Sequence, residues 1–227
     1  MGCIGGFQKM MNTQAFLMRV LGESWDIMTE SSDNGSVTKA ASTVFNAIGS
    51  AGSNNILRYD NSDLMDGLTL MASYVPSGTG EASSSVDYGI EYTGFDGLTA
   101  GYATGENNAT AGAETDVTTM YAKYAYGPVT VGIQESEIDA STVAASDDFS
   151  AMGITYQVSD DLTIGYHEST YDAGDQATDQ ENSNMSISYT MGSMTLAAAF
   201  VEEENRGGLD TAVNDMKAYE IDLSFAF

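Results

Sequence analysis

The chain has 227 residues, room for one large all-β domain or two small ones. It carries 33 acidic side chains against 7 basic ones, a net charge of −26, which excludes a nucleic-acid partner because phosphates require a basic patch. Hydrophobic residues make up 42%, yet no apolar run approaches the length of a transmembrane helix, so any membrane crossing must be made by strands.

The first 22 residues carry little structural signal. Cys3 is the single cysteine, so no intrachain disulfide is possible. Only Met1 and Gly2 precede it, too little for a lipoprotein anchor, and Gly6 breaks the myristoylation pattern. The stretch "MGCIGGFQKMMNTQAFLMRVLG" lacks the basic-then-apolar order of a secretory signal. Within it "AFLMRVLG" suits strand and helix equally, so residues 1–22 read as the remnant of an upstream strand or as disordered. In residues 23–54, Val37, Ala40, Ala41, Val44 and Ile48 fall at helical spacing. Asp33 or Ser36 can cap the start of that short helix and Gly49 its end.

From residue 55 to 227 the period is two. Apolar residues alternate with small or polar ones in about eleven runs, from Leu57/Tyr59 and Leu68/Leu70/Ala72/Tyr74 to the closing "YEIDLSFAF". The links alternate as well. "GFDG", "GP", "SDD" and "GS" are tight-turn residues. Between them lie long polar links such as "GENNATAGAETD", "ESEIDASTVAASDD" and "EEENRGGLDTAVND". Short turns at one end and long loops at the other define an up-and-down meander of hairpins.

The apolar faces of these runs contain no charge, whereas the opposite faces carry Arg58, Asp87, Glu91, Lys123, His167, Glu220 and Asp222 among many Gly, Ser and Thr. A soluble all-β domain buries its apolar face; an outer-membrane barrel turns that face to lipid and its polar face to a watery lumen. Alternation alone does not separate the two. Three features favour the membrane. Aromatics sit near both strand ends, runs of about 8–11 residues suit a tilted crossing, and the polar face is built of small residues that line a channel without filling it.

The segment "NNILRYDNSDLMDGLTLMASYVP" resembles the strand–turn–strand that follows the constriction loop of Gram-negative general porins. Arg58, Tyr59, Asn61-Ser62 and Gly67-Leu68 carry the match, with Asp63 where that turn usually has Pro. The alternating terminus Tyr219, Ile221, Leu223, Phe225 and Phe227 resembles the signal read by the barrel assembly machinery. "MGITYQVSDDLTIGYHES" is similar to the repeated porin hairpin. The likeness covers about residues 20–227.

This resemblance implies a transmembrane antiparallel up-and-down β-barrel, of which eleven strands are present and five are missing from the front of a sixteen-stranded wall. It implies a truncated or internally initiated porin in the outer membrane of a Gram-negative bacterium. Residues 23–54 become the constriction loop, with Asp26, Glu30 and Asp33 as loop acids facing Arg58 and Lys123 on the wall. The implied partners are outer-membrane lipid and lipopolysaccharide, the assembly machinery and two further copies in a homotrimer. The implied activity is passive diffusion of small hydrophilic solutes, with a cation preference expected from the acid excess. The alternatives are a soluble or surface-exposed binding or adhesin-like domain, and an outer-membrane β-barrel hydrolase.

Enzyme chemistry finds little support in the residues. His167 is the only histidine, adjacent to Glu168, and no G-x-S-x-G elbow occurs, so a pore-lining role is expected and no catalytic residue is assigned. No cofactor is expected. The loop "DAGDQATDQE" offers Asp172, Asp175, Asp179 and Glu181 as oxygen ligands for Ca²⁺, at a spacing that fits no EF-hand.

Overall fold

The computed structural model describes residues 57–76, 84–107, 115–141, 146–210 and 215–226. The expected short helix, the loop acids Asp26, Glu30 and Asp33, the segments 1–22 and 23–54, and Phe227 lie outside the described residues.

The described residues form eleven strands and one sheet. The strands are β1 Leu57–Met65, β2 Leu68–Val75, β3 Ser85–Tyr92, β4 Leu98–Asn107, β5 Thr115–Tyr126 and β6 Val129–Ala140, followed by β7 Asp147–Ser159, β8 Leu162–Ala173, β9 Gln180–Met191, β10 Met194–Glu204 and β11 Met216–Phe225. The sheet order is the chain order, and all neighbours pair antiparallel. Such a meander follows from hairpins whose turns are too short for any crossover. Among the described residues β1 and β11 do not pair with each other. No described helix is long and apolar enough to cross a membrane.

At the turn end, Gly67 adopts φ 74°, a left-handed conformation that a side chain disfavours. A Cβ there would also sit 2.3 Å from the backbone of Gly94 in the next turn. Each turn is bonded to the end of the strand beside it: the amides of Thr93, Ala125, Gln157, Thr190 and Ala226 donate to the carbonyls of Gly67, Gly97, Pro128, Asp161 and Ser193 at 2.7–2.9 Å. At the opposite end, the turn after β10 rests on the turn after β8. Asn205 Nδ2 donates to the Asp179 carbonyl at 3.1 Å, and the Gly207 amide to Gln180 Oε1 at 3.2 Å.

Several strands are longer than the apolar runs suggested. β6 continues through Glu135, Glu137 and Asp139, and β7 begins at Asp147, so most of "ESEIDASTVAASDD" is paired sheet. The acids ended the apolar alternation but not the backbone ladder, which needs only matched N–H and C=O groups.

The burial pattern is inverted relative to a soluble sheet. Near the turns, outward positions are large and apolar yet exposed: Ile133, Ile154, Ile164, Ile187 and Leu196 all are. Alternate positions, such as Gln134, Asn184 and Glu91, are polar and buried. The polar face is therefore called the inner face. Exposing the aliphatic face to water forfeits most of the hydrophobic driving force, whereas lipid accommodates it. The soluble-domain alternative loses its support here, because its apolar face would be core.

Aromatic residues bound the band. On the loop side Tyr166, Met185, Phe200 and Tyr219 are successive register partners. On the turn side stand Tyr126, Tyr156 and Tyr189, with Tyr124 stacked on Tyr126 at 6.4 Å and tilted against Phe95 at 6.2 Å. Two amphipathic rings around an aliphatic zone match two lipid–water interfaces.

Candidate functional site

The inner face holds most of the charges singled out in the sequence. Asp87 and Glu91 on β3 lie flat against the wall rather than projecting from it, at 1% and 8% exposure. Glycines across the strand pair make that possible. Glu91 is paired in register with Gly101, and Gly101 with Tyr121. The Tyr121 ring lies over Gly101, where a Cβ would be 2.5 Å from the ring, and its hydroxyl donates to Glu91 Oε2 at 2.8 Å. In the same way Asp87 lies over its partner Gly105, where a Cβ would meet Oδ1 at 2.1 Å. Ser73 Oγ donates to Asp87 Oδ2 at 2.6 Å. These contacts hold the two carboxylates at fixed points on the inner face.

Arg58 also faces inward, opposite Ser73, but its guanidinium is engaged by its own strand. Nη2 and Nε reach Asp60 Oδ1 at 2.7 and 3.0 Å. The sequence reading placed Arg58 on the wall and did not single out Asp60 as its partner. The i,i+2 spacing on one strand face was the available signal. Lys123 stands on β5, opposite Thr99 and Gly132. Glu220 and Asp222 occupy alternate positions on β11, paired with Ala199 and Ala197. Sequence reasoning missed Glu203, which is 1% exposed and 3.5 Å from Arg206, because it lay in a run read as loop.

His167 lies on the inner face between Gly153 and Asn184. Strand alternation sends adjacent Glu168 to the outer face, where Tyr166 donates a short hydrogen bond to it. The two residues therefore cannot act as an acid–base pair. Ser169, the nearest inward hydroxyl on the same strand, accepts a hydrogen bond from Asn182 Nδ2 at 3.2 Å instead.

The terminal residues Tyr219, Ile221, Leu223 and Phe225 are all exposed on the outer face. Of the calcium candidates, Asp172 and Glu181 sit on β8 and β9 facing outward, with Asp175 and Asp179 in the intervening turn. Among the described residues no three His, Cys, Asp or Glu side chains are grouped to hold a metal ion.

A continuous meander with an exposed aliphatic band, two aromatic borders and a polar, charge-bearing inner face is the wall of an outer-membrane β-barrel. The family model for Gram-negative porins matches residues 14–223, and the chain belongs to that family. It resides in the outer membrane. Solved structures repeat the fold at low identity. The anion-selective porin from Comamonas acidovorans is 15% identical with a TM-score of 0.57, over 77% of this chain and 60% of that one. OmpF of Salmonella typhi in complex with daunomycin is 15% identical with a TM-score of 0.57, over 86% and 69%. A mutant of the Rh. blastica porin is 18% identical with a TM-score of 0.54, over 79% and 69%. The chain thus spans about 60% of the length of the Comamonas porin. No curated protein matches the chain by sequence.

Proposed function

We propose that the chain forms the wall of a water-filled pore through which small hydrophilic solutes diffuse, with a preference for cations. The observation that carries this reading is the inner face itself. It fixes the carboxylates of Asp87 and Glu91 on the wall, while Arg58 is paired with Asp60. Fixed negative charge in a narrow aqueous path concentrates cations and depletes anions. "Anion-selective" describes the Comamonas porin; the opposite preference proposed here rests on this chain's own charges, net −26. The process is passive, with no bond made or broken.

Conduction requires a closed wall, since an open sheet edge in lipid leaves backbone groups unpaired. Additional strands between β11 and β1 supply that closure in this reading, and three copies form the complete assembly. Lipopolysaccharide surrounds the barrel, and the β11 terminus serves as the assembly signal.

A planar-bilayer recording under a KCl gradient tests the proposal. The expected result is stepwise conductance with a reversal potential of cation-selective sign. An anion-selective sign overturns the preference, and absence of any step from membrane-inserted protein overturns the pore.

A further inference from the structure

On the outer face a groove of about 370 Å³ runs across the strands from β4 to β8. Two register rows build it. The first takes Tyr102, Met120 and Glu135 across β4, β5 and β6. The second, two residues nearer the loops, takes Glu137, Asp148 and Asp172 across β6, β7 and β8. All six residues are exposed and line the same groove.

The groove is polarised along its length. At the β4–β5 end Tyr102 and Met120 present a ring and a thioether chain. Tyr102 stands as far from its turn as Tyr166 does on β8, so this end lies at the aromatic border of the lipid band. At the β6–β8 end the side chains are carboxylates. Asp148 is the direct partner of both Glu137 and Asp172, and like charges directly opposite one another across strands are destabilising. Among the described residues no lysine or arginine lines the groove, and the ion pairs lie elsewhere.

This arrangement selects the chemistry of a guest. A metal ion is a poor match, because the carboxylates are strung along a row and, among the described residues, no three acids are grouped to hold one. An ammonium group has three donors and no acceptor, so it can bridge Glu137 and Asp148, whose Cβ atoms as direct partners stand about 5 Å apart. Hydrogen bonds between two charged groups are the strong ones, and the added cation relieves the repulsion along the row. From Asp148 to Met120 is two strand spacings, roughly 10 Å. An alkyl chain spans that distance and leaves water for the side chains of Met120 and Tyr102.

We propose that this groove binds a single-chain organic cation, an alkylammonium whose headgroup sits among Glu137, Asp148 and Asp172 and whose chain lies against Met120 and Tyr102. Charge complementarity at one end and the apolar wall at the other carry the assignment. It goes beyond the pore reading, since the groove lies outside the lumen and takes no part in conduction.

Methyl NMR on the full 227-residue chain, labelled at methionine and folded in nonionic detergent micelles, tests the proposal. Met120 reports on the apolar end of the groove and is assigned by the signal lost in Met120→Leu. Met191, exposed at the turn side of the outer face, reports partition into the micelle alone. Octylammonium is the probe; octanol has its chain without the charge, and methylammonium its charge without the chain. The expected result is a saturable Met120 shift with octylammonium that Met191 does not share, and a much weaker response to the other two. Glu137→Gln combined with Asp148→Asn is expected to weaken binding about tenfold or more. Ser150→Trp, which fills the middle of the groove, gives the same loss by a different route and decides the matter if the double variant fails to fold. Equal binding by the wild type and a folded variant overturns the proposal, as does an equal response to octanol or an equal shift of Met120 and Met191. No saturable shift also overturns it. If calcium chloride alone reproduces the Met120 shift, the acids hold a metal ion and the proposal fails.

Discussion

The turn-side and loop-side halves of the sheet obey opposite rules, although the same strands run through both. On β6 the outer face reads Val129, Val131 and Ile133 near the turn, then Glu135, Glu137 and Asp139 towards the loop. On β8 it passes from Ile164 and Tyr166 to Glu168 and Asp172. The inner face gains large buried side chains towards the loops, Val117, Phe149, Tyr171 and Val201, interleaved with the buried polar residues Ser136, Asp147, Gln180 and Glu203. The switch occurs at the aromatic row, so the two halves meet different solvents: lipid outside the lower one, water outside the upper one. Backbone pairing is indifferent to that boundary, and side-chain chemistry is not.

The sharpest way to break the comparison is to place the same charge in each half. Ile164→Arg puts a cation into the lipid-facing band and is expected to cost about 2–4 kcal/mol in urea unfolding from vesicles. Glu137→Arg, on the outer face beyond the aromatic row, is expected to leave that transition nearly unchanged. Equal costs at the two sites would erase the boundary.

Smaller effects are expected from the inner face. Tyr121→Phe removes the hydroxyl that holds Glu91 and is expected to destabilise by about 1.5–3 kcal/mol. It should also lower the cation preference in the reversal potential, because the carboxylate is no longer fixed. Gly101→Ala pushes on the Tyr121 ring and is expected to cost about 1–3 kcal/mol, with the same direction of change in selectivity. Least of all, Lys217→Ala breaks only the exposed pair with Glu202 above the aromatic row and is expected to leave the unfolding midpoint in place.

How much was legible beforehand divides along the same line. In the lower half the period-two pattern of runs such as Leu68/Leu70/Ala72 named the strands, their count and the lipid face. Tight-turn residues such as Gly127-Pro128 named the hairpins. In the upper half the pattern depended on apolar residues that were no longer on the outer face, so β6 and β7 were read as ending early. The inner-face contacts were not legible at all. Tyr121 and Glu91 are 30 residues apart and meet only because register sets Gly101 between them. His167 was expected to line the pore, and alternation does place it on the inner face, with its neighbour Glu168 on the outer one.

The bonds from each turn to the strand beside it bear on how such a wall finds its faces. A hairpin that slips by one residue against its neighbour exchanges its two faces, presenting Gln134 and Asn184 to lipid and Ile133 and Ile187 to water. The amides that reach across from Thr93, Ala125, Gln157, Thr190 and Ala226 make each completed turn an index for the hairpin that follows. Errors in registration are thereby checked at one edge of the sheet, at every second strand, before they can propagate along the wall.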